Sequence, residues 1–132
     1  MLSEPNQSPM NEGPGTGSPL VDLTAAIERM EGDTRLLHEV VDIFLEDYQG
    51  CMDEVRSAVE RRDTNSLQRA VHTMKGAVGN FVAAKATYVA RDMEHLCKLG
   101  EIDSAIALFE VLESAVAEVA AELRNFRQKE AA

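Results

Sequence analysis

The chain has 132 residues, 45% of them hydrophobic and 5% aromatic, with no tryptophan and a formal net charge of −10. That length suits one domain with an appended segment, and the apolar share is enough for a real core. The negative field opposes nucleic acid and anionic membranes as partners, and no uninterrupted run of about 18 apolar residues offers a membrane span.

Residues 1–19 hold all four prolines together with Gly13, Gly15 and Gly17. Such a stretch buries too little apolar surface to offset the entropy of ordering it, so it reads as a disordered tail or a linker. It has no basic region followed by an apolar run, so no secretory signal is expected. The domain is expected over residues 20–128, with a short C-terminal tail at 129–132.

A short first helix is expected over Asp22–Met30, with Leu23, Ile27 and Met30 on its apolar edge and Gly32 as its stop. Asp33 or Thr34 caps a second helix that runs to about Glu60 on a stripe of Leu37, Val40, Val41, Phe44, Tyr48, Cys51, Met52, Val55 and Val59. Gly50 is a place for it to bend. The turn Arg61-Arg62-Asp63 then puts cations at one helix end and an anionic cap at the next start. A third helix is expected over Thr64–Phe81. The fourth covers Ala84–Leu99, with Ala86, Val89, Ala90, Met93, Leu96 and Cys97 inward and Gly100 as its stop. The fifth covers Ile102–Phe126. No strand pattern and no repeat interrupts them. The fold class is therefore all-α: an antiparallel up-down-up-down four-helix bundle with a short extra N-terminal helix. Cys51 and Cys97 both fall on apolar faces without a CxxC partner and are expected as buried, reduced thiols in a cytoplasmic protein.

The third helix carries the chemistry. Leu67, Ala70, Val71, Met74, Ala77, Val78 and Phe81 recur at helical spacing and form its buried stripe. The opposite stripe is Gln68, Arg69, His72, Lys75, Gly76 and Gly79. His72 should therefore face water, one turn from a lysine and beside two glycines. Each glycine inside a helix costs roughly 1 kcal/mol relative to alanine, so two on one face imply that something approaches the ring closely. An imidazole with an ordinary pKa of about 6.5 is mostly neutral at pH 7 and can attack an electrophilic phosphorus without a general base. Lys75 at i+3 could balance charge on a phosphoryl group, and Gly76 leaves room for it. The plain alternative is a surface histidine on a solvated face; the paired glycines argue against it.

The segment His72-Thr73-Met74-Lys75-Gly76-Ala77, continued by Gly79-Asn80-Phe81, resembles the His-x-x-Lys-Gly signature of histidine-containing phosphotransfer (HPt) domains, and the similarity extends over about residues 21–126. The resemblance implies a phosphocarrier of a multistep two-component phosphorelay in bacterial signalling. His72 would accept a phosphoryl group from a receiver-domain aspartate and pass it to another receiver, with Lys75 and Gly76 in the places of the family's lysine and glycine. The family commonly has a polar residue on the next helix that bonds the inner imidazole nitrogen, and Glu94 stands in that place. From its own pattern Glu94 belongs to a polar stripe of Thr87, Arg91, Glu94 and Lys98, where its alternative role is an ion pair within the helix. Lys98 is a candidate second cation near the phosphoryl group. One departure is Val82, where the family often has glycine.

The partners so implied are response-regulator receivers, a hybrid sensor histidine kinase, or both, with Leu20, Leu23, Ile27, Leu36, Gln68 and Arg69 as candidate docking residues. The protein is expected to be a monomer without nucleic-acid or membrane partners. It should hold no cofactor and no metal, the Mg²⁺ of the reaction belonging to the receiver. Without a Gly-rich nucleotide loop it should not phosphorylate itself. Two alternatives stay open: the phosphoacceptor domain of a chemotaxis-type kinase, and a non-catalytic helical adaptor for receivers. His38 flanks the second helix's stripe as a boundary residue. His95 is poorly placed to share a metal with its neighbour Glu94, because adjacent helical residues point about 100° apart.

Overall fold

The computed structural model describes residues 20–131, so the segment 1–19 read as tail or linker lies outside the described residues. Among the described residues every regular element is helical: α1 (Leu23–Arg29), α2 (Thr34–Arg61), α3 (Thr64–Gly79), α4 (Ala84–Lys98), α5 (Ile102–Ala107) and α6 (Phe109–Ala131). Three aspartates set the helix starts. Asp22, Asp33 and Asp63 accept the amides of Ala25, Leu36 and Ser66 at 3.0, 3.0 and 3.1 Å, each satisfying a donor that a helix N-terminus leaves free. The bonds from the Ser66 amide and hydroxyl hold the Asp63 carboxyl below its ordinary range, and Arg61 adds to the effect.

The ends are closed by left-handed residues. Gly32 (φ +82°) and Gly100 (φ +77°) follow α1 and α4, the conformation glycine adopts without strain. Arg62 closes α2 in the same region at φ 54°, where a side chain costs roughly 1–2 kcal/mol. Its guanidinium pairs with Asp103, but both side chains are well exposed, so that pair contributes little. Arg62→Gly should therefore raise stability by about 1 kcal/mol, a gain of several degrees in Tm readable by thermal melting.

Short connections make successive long helices reverse direction. α2 packs on α3, α3 on α4, α4 on α6, and α6 back on α2, so the four long helices close a ring. Inside it lie Leu37, Val41, Val55, Leu67, Val71, Met74, Val78, Phe81, Met93, Leu112, Val116 and Leu123, all essentially without solvent contact. Burial of each such side chain stabilises by roughly 1.5–3 kcal/mol. α2 runs unbroken through Gly50. α1 lies across the C-terminal end of α3, tied there by the Asp22 amide on the Phe81 carbonyl (2.9 Å) and by Arg29 Nη1 on the Gly79 carbonyl (3.0 Å).

The helix expected over Ile102–Phe126 is two helices. The chain breaks at Leu108, whose amide bonds the carbonyl of Ala105 rather than that of residue 104. α5 packs against α4, whereas α6 packs against both α2 and α4, and the break serves both. α6 also continues to Ala131, five residues past the expected end. Arg127 forks onto Asp42 of α2 at 2.8 and 3.2 Å, and Glu130 lies 3.6 Å from His38, which holds these last turns on the bundle. Cys51 and Cys97 are free thiols, half-buried and buried respectively. Burial raises both thiol pKa values, with Glu54 adding to it at Cys51 and Glu94 at Cys97. No described helix is long and apolar enough to cross a membrane.

Candidate functional site

The buried stripe of α3 turns its opposite face to solvent, and His72 stands there with 63% of its side chain exposed. Across from it, α4 presents Glu94. This is the one charged residue buried among the described residues, because the surrounding stripe (Ala86, Ala90, Met93, Cys97) carries that turn of α4 into the core. Its carboxylate is not left alone. Oε2 lies 2.7 Å from His72 Nδ1, Oε1 accepts a hydrogen bond from Lys75 Nζ at 2.7 Å, and Lys98 Nζ stands 3.8 Å from Oε2. Glu94 thus lies against the inner imidazole nitrogen and at the same time makes an i,i+4 ion pair with Lys98.

Electrostatics then fix the ring. Desolvation raises the Glu94 carboxyl pKa, but hydrogen bonds from Lys75 and His72 and the charge of Lys75 outweigh it, and the net shift is downward. Glu94 is therefore ionised at neutral pH and can only accept. A neutral His72 must put its one proton on Nδ1 to meet that carboxylate, which leaves the Nε2 lone pair pointing outward. Lys75, expected at i+3 to balance charge on a phosphoryl group, is tied, 30% exposed, to the same carboxylate.

Gly76 and Gly79 flank the histidine on this face. A Cβ built at either would meet nothing within 4 Å, so the protein's own packing demands neither glycine. Gly76→Ala should therefore stabilise the isolated protein by about 0.8–1 kcal/mol through helix propensity alone. If the space serves an approaching partner, the same variant should slow phosphoryl transfer several-fold; a melting curve and a transfer assay on one preparation check both.

The site-flanking apolar residues divide. Leu20 and Leu36 are exposed, whereas Leu23 and Ile27 pack against the core. Gln68 and Arg69 line a shallow hollow with Thr73, Glu94, Lys98 and His72 itself. The sequence reading missed an apolar groove on the other flank of α3, formed by Val40, Ile43, Phe44, Tyr48, Cys51 and Ala77. Ile43, 56% exposed, lies off the buried stripe of α2; an isoleucine on the wet side of an amphipathic helix was the available signal. Val82 takes φ 52°, the conformation a glycine would hold without strain, so the turn from α3 to α4 is kept with a β-branched residue in it.

A family model for the Hpt domain matches residues 39–122. The chain belongs to the Hpt domain family. It is accordingly a histidine phosphotransfer protein of the phosphorelay type. The crystal structure of histidine-containing phosphotransfer protein B (HptB) from Pseudomonas aeruginosa PAO1 shares the fold with a TM-score of 0.77 at 23% identity, the alignment covering 86% of this chain and 98% of that one. No curated protein matches the sequence. The helices of this Hpt domain that carry His72 and Glu94, α3 and α4, both lie inside the matched residues.

Proposed function

We propose that His72 is the phosphoacceptor and that the protein shuttles a phosphoryl group between receiver-domain aspartates. The observation that carries this is the pairing of a buried, ionised Glu94 with His72 Nδ1, which holds Nε2 as a nucleophile in solvent. Nε2 attacks the phosphorus of an aspartyl phosphate, the P–O bond to the aspartate breaks, and the aspartate leaves as carboxylate. Nδ1–H stays on Glu94, so no proton has to move. The reverse attack by a second aspartate regenerates the free imidazole. Such transfer depends on positioning and charge neutralisation. Lys75 supplies a mobile cation that can turn from Glu94 to the phosphoryl oxygens, with Lys98 remaining beside the carboxylate. Mg²⁺ would be held by the receiver.

Docking would use the exposed Leu20 and Leu36, the groove beside Ile43, and the hollow at Gln68 and Arg69. The test is pairwise: incubation with phosphorylated receivers should put an acid-labile, base-stable phosphate on the protein within minutes, and ATP alone should put none. Label that arrives only with a kinase domain and ATP, and from no receiver, would instead support a chemotaxis-type phosphoacceptor.

A further inference from the structure

The groove between α2 and α3 encloses a cavity of 320 Å³. That volume falls within the range of small-molecule sites, about 300–1,000 Å³, at its small end. Val40, Ile43, Phe44, Tyr48, Met74 and Ala77 line it, drawn from one face of each helix. Phe44, Tyr48 and Met74 are buried and form its floor, the two rings stacked with centroids 5.3 Å apart, whereas Ile43 stands exposed at the rim. The polar groups of the lining are few and mostly engaged. The Tyr48 hydroxyl meets Arg124 and Gln49, and Thr73 Oγ1 donates to the Arg69 carbonyl at 3.1 Å. The Cys51 thiol lies 3.7 Å from the Ala70 carbonyl, and burial with the charge of Glu54 keeps it protonated. The side chains of Asn80 and Asp47 remain, and Asp47 alone is charged. Among the described residues its carboxylate, exposed at the rim, has neither an ion pair nor a side-chain hydrogen bond.

An apolar floor with one free carboxylate at its edge is complementary to an apolar body with one positive end. α2 also exposes Glu39, Glu46 and Glu54, and the chain carries a net charge of −10, so the local field attracts a cation and opposes a fatty acid or any other carboxylate. We propose that the groove binds a small hydrophobic ammonium ion, an arylalkylamine whose apolar body lies on Phe44, Tyr48 and Met74 and whose ammonium group bonds Asp47. The site does not depend on the phosphotransfer reading. It opens beside Thr73, the residue next to His72, so an amine seated there would also close one of the flanks proposed above for docking.

Probes that share one body and differ in charge test this: 4-phenylbutylammonium, 4-phenylbutanol and 4-phenylbutyrate, each titrated into the full chain while backbone amide shifts are followed. The ammonium should saturate, with shifts centred on Val40, Ile43, Met74 and Ala77. It should bind about tenfold more tightly than the alcohol, the scale of one charge-assisted hydrogen bond, and the butyrate more weakly than either. Asp47→Asn should bring the ammonium down to the alcohol's affinity. Glu46→Gln makes the same change in net charge on a neighbour outside the lining and should leave most of the advantage in place. Equal affinity for the probes would overturn the assignment by showing an apolar surface without charge selectivity. So would shifts that map outside the groove, or an ammonium advantage that survives Asp47→Asn. Groove amides that move on dilution of the unliganded protein, or on Met10→Asp, would overturn it by seating a second copy, or the segment 1–19, in the same place. No receiver and no phosphate enters the titration, so its failure leaves transfer to His72 standing.

Discussion

His72→Ala should reduce phosphoryl uptake from any receiver to background while leaving the fold in place. The ring is mostly in solvent and fills no part of the core, so its removal costs only the bond to Glu94, a loss of about 1–2 kcal/mol. Circular dichroism should be unchanged. No other imidazole can substitute. His38 belongs to α2 and faces α6, its ring 5.5 Å from that of Phe126 and its Nε2 3.6 Å from Glu130. His95 is exposed one residue beyond Glu94, on a side of α4 turned about 100° away. A variant that still acquires an acid-labile, base-stable phosphate at the normal rate would refute the assignment.

Much of this site was legible because it is built within single helices. A 3.6-residue period places His72, Lys75, Gly76 and Gly79 on one side of α3 and the core residues on the other, and the structure keeps that division. The caps were legible too, since Asp33 and Asp63 each precede an apolar period and need only their own next turn to act. What periodicity could not give is what one helix does to another. That Lys75 would bond Glu94, nineteen positions on, depends on how α3 and α4 are rotated against each other. The break at Leu108 has no glycine or proline to announce it; the segment Ala107-Leu108-Phe109 is made of residues that any helix would accept. It accompanies a change of neighbours: both pack on α4, but α6 must also pack on α2. Ile43 was overlooked for a related reason, as an exposed apolar residue acquires meaning only when a groove is seen beside it.

Glu94 should be the most sensitive position after His72, and its two substitutions separate charge from geometry. Glu94→Ala leaves His72 Nδ1 and Lys75 without their shared acceptor, so the ring loses both its preferred tautomer and its orientation. Transfer should slow about 10–100-fold, the scale on which misplacing a reacting group by an ångström acts. Glu94→Gln can still accept from Nδ1–H through its amide oxygen and should recover most of the rate. It cannot recover the charge. Because the folded carboxyl lies below its ordinary value, Glu94 contributes stability that is fully present above the ordinary carboxylate range and is lost as pH falls through the lowered folded value. Denaturant midpoints for wild type and Glu94→Gln should therefore differ most at pH 7, with the wild type the more stable, and should converge as the solution is acidified below about pH 4. A gap that stays constant with pH would mean that the carboxylate's charge is not what Lys75 and His72 hold.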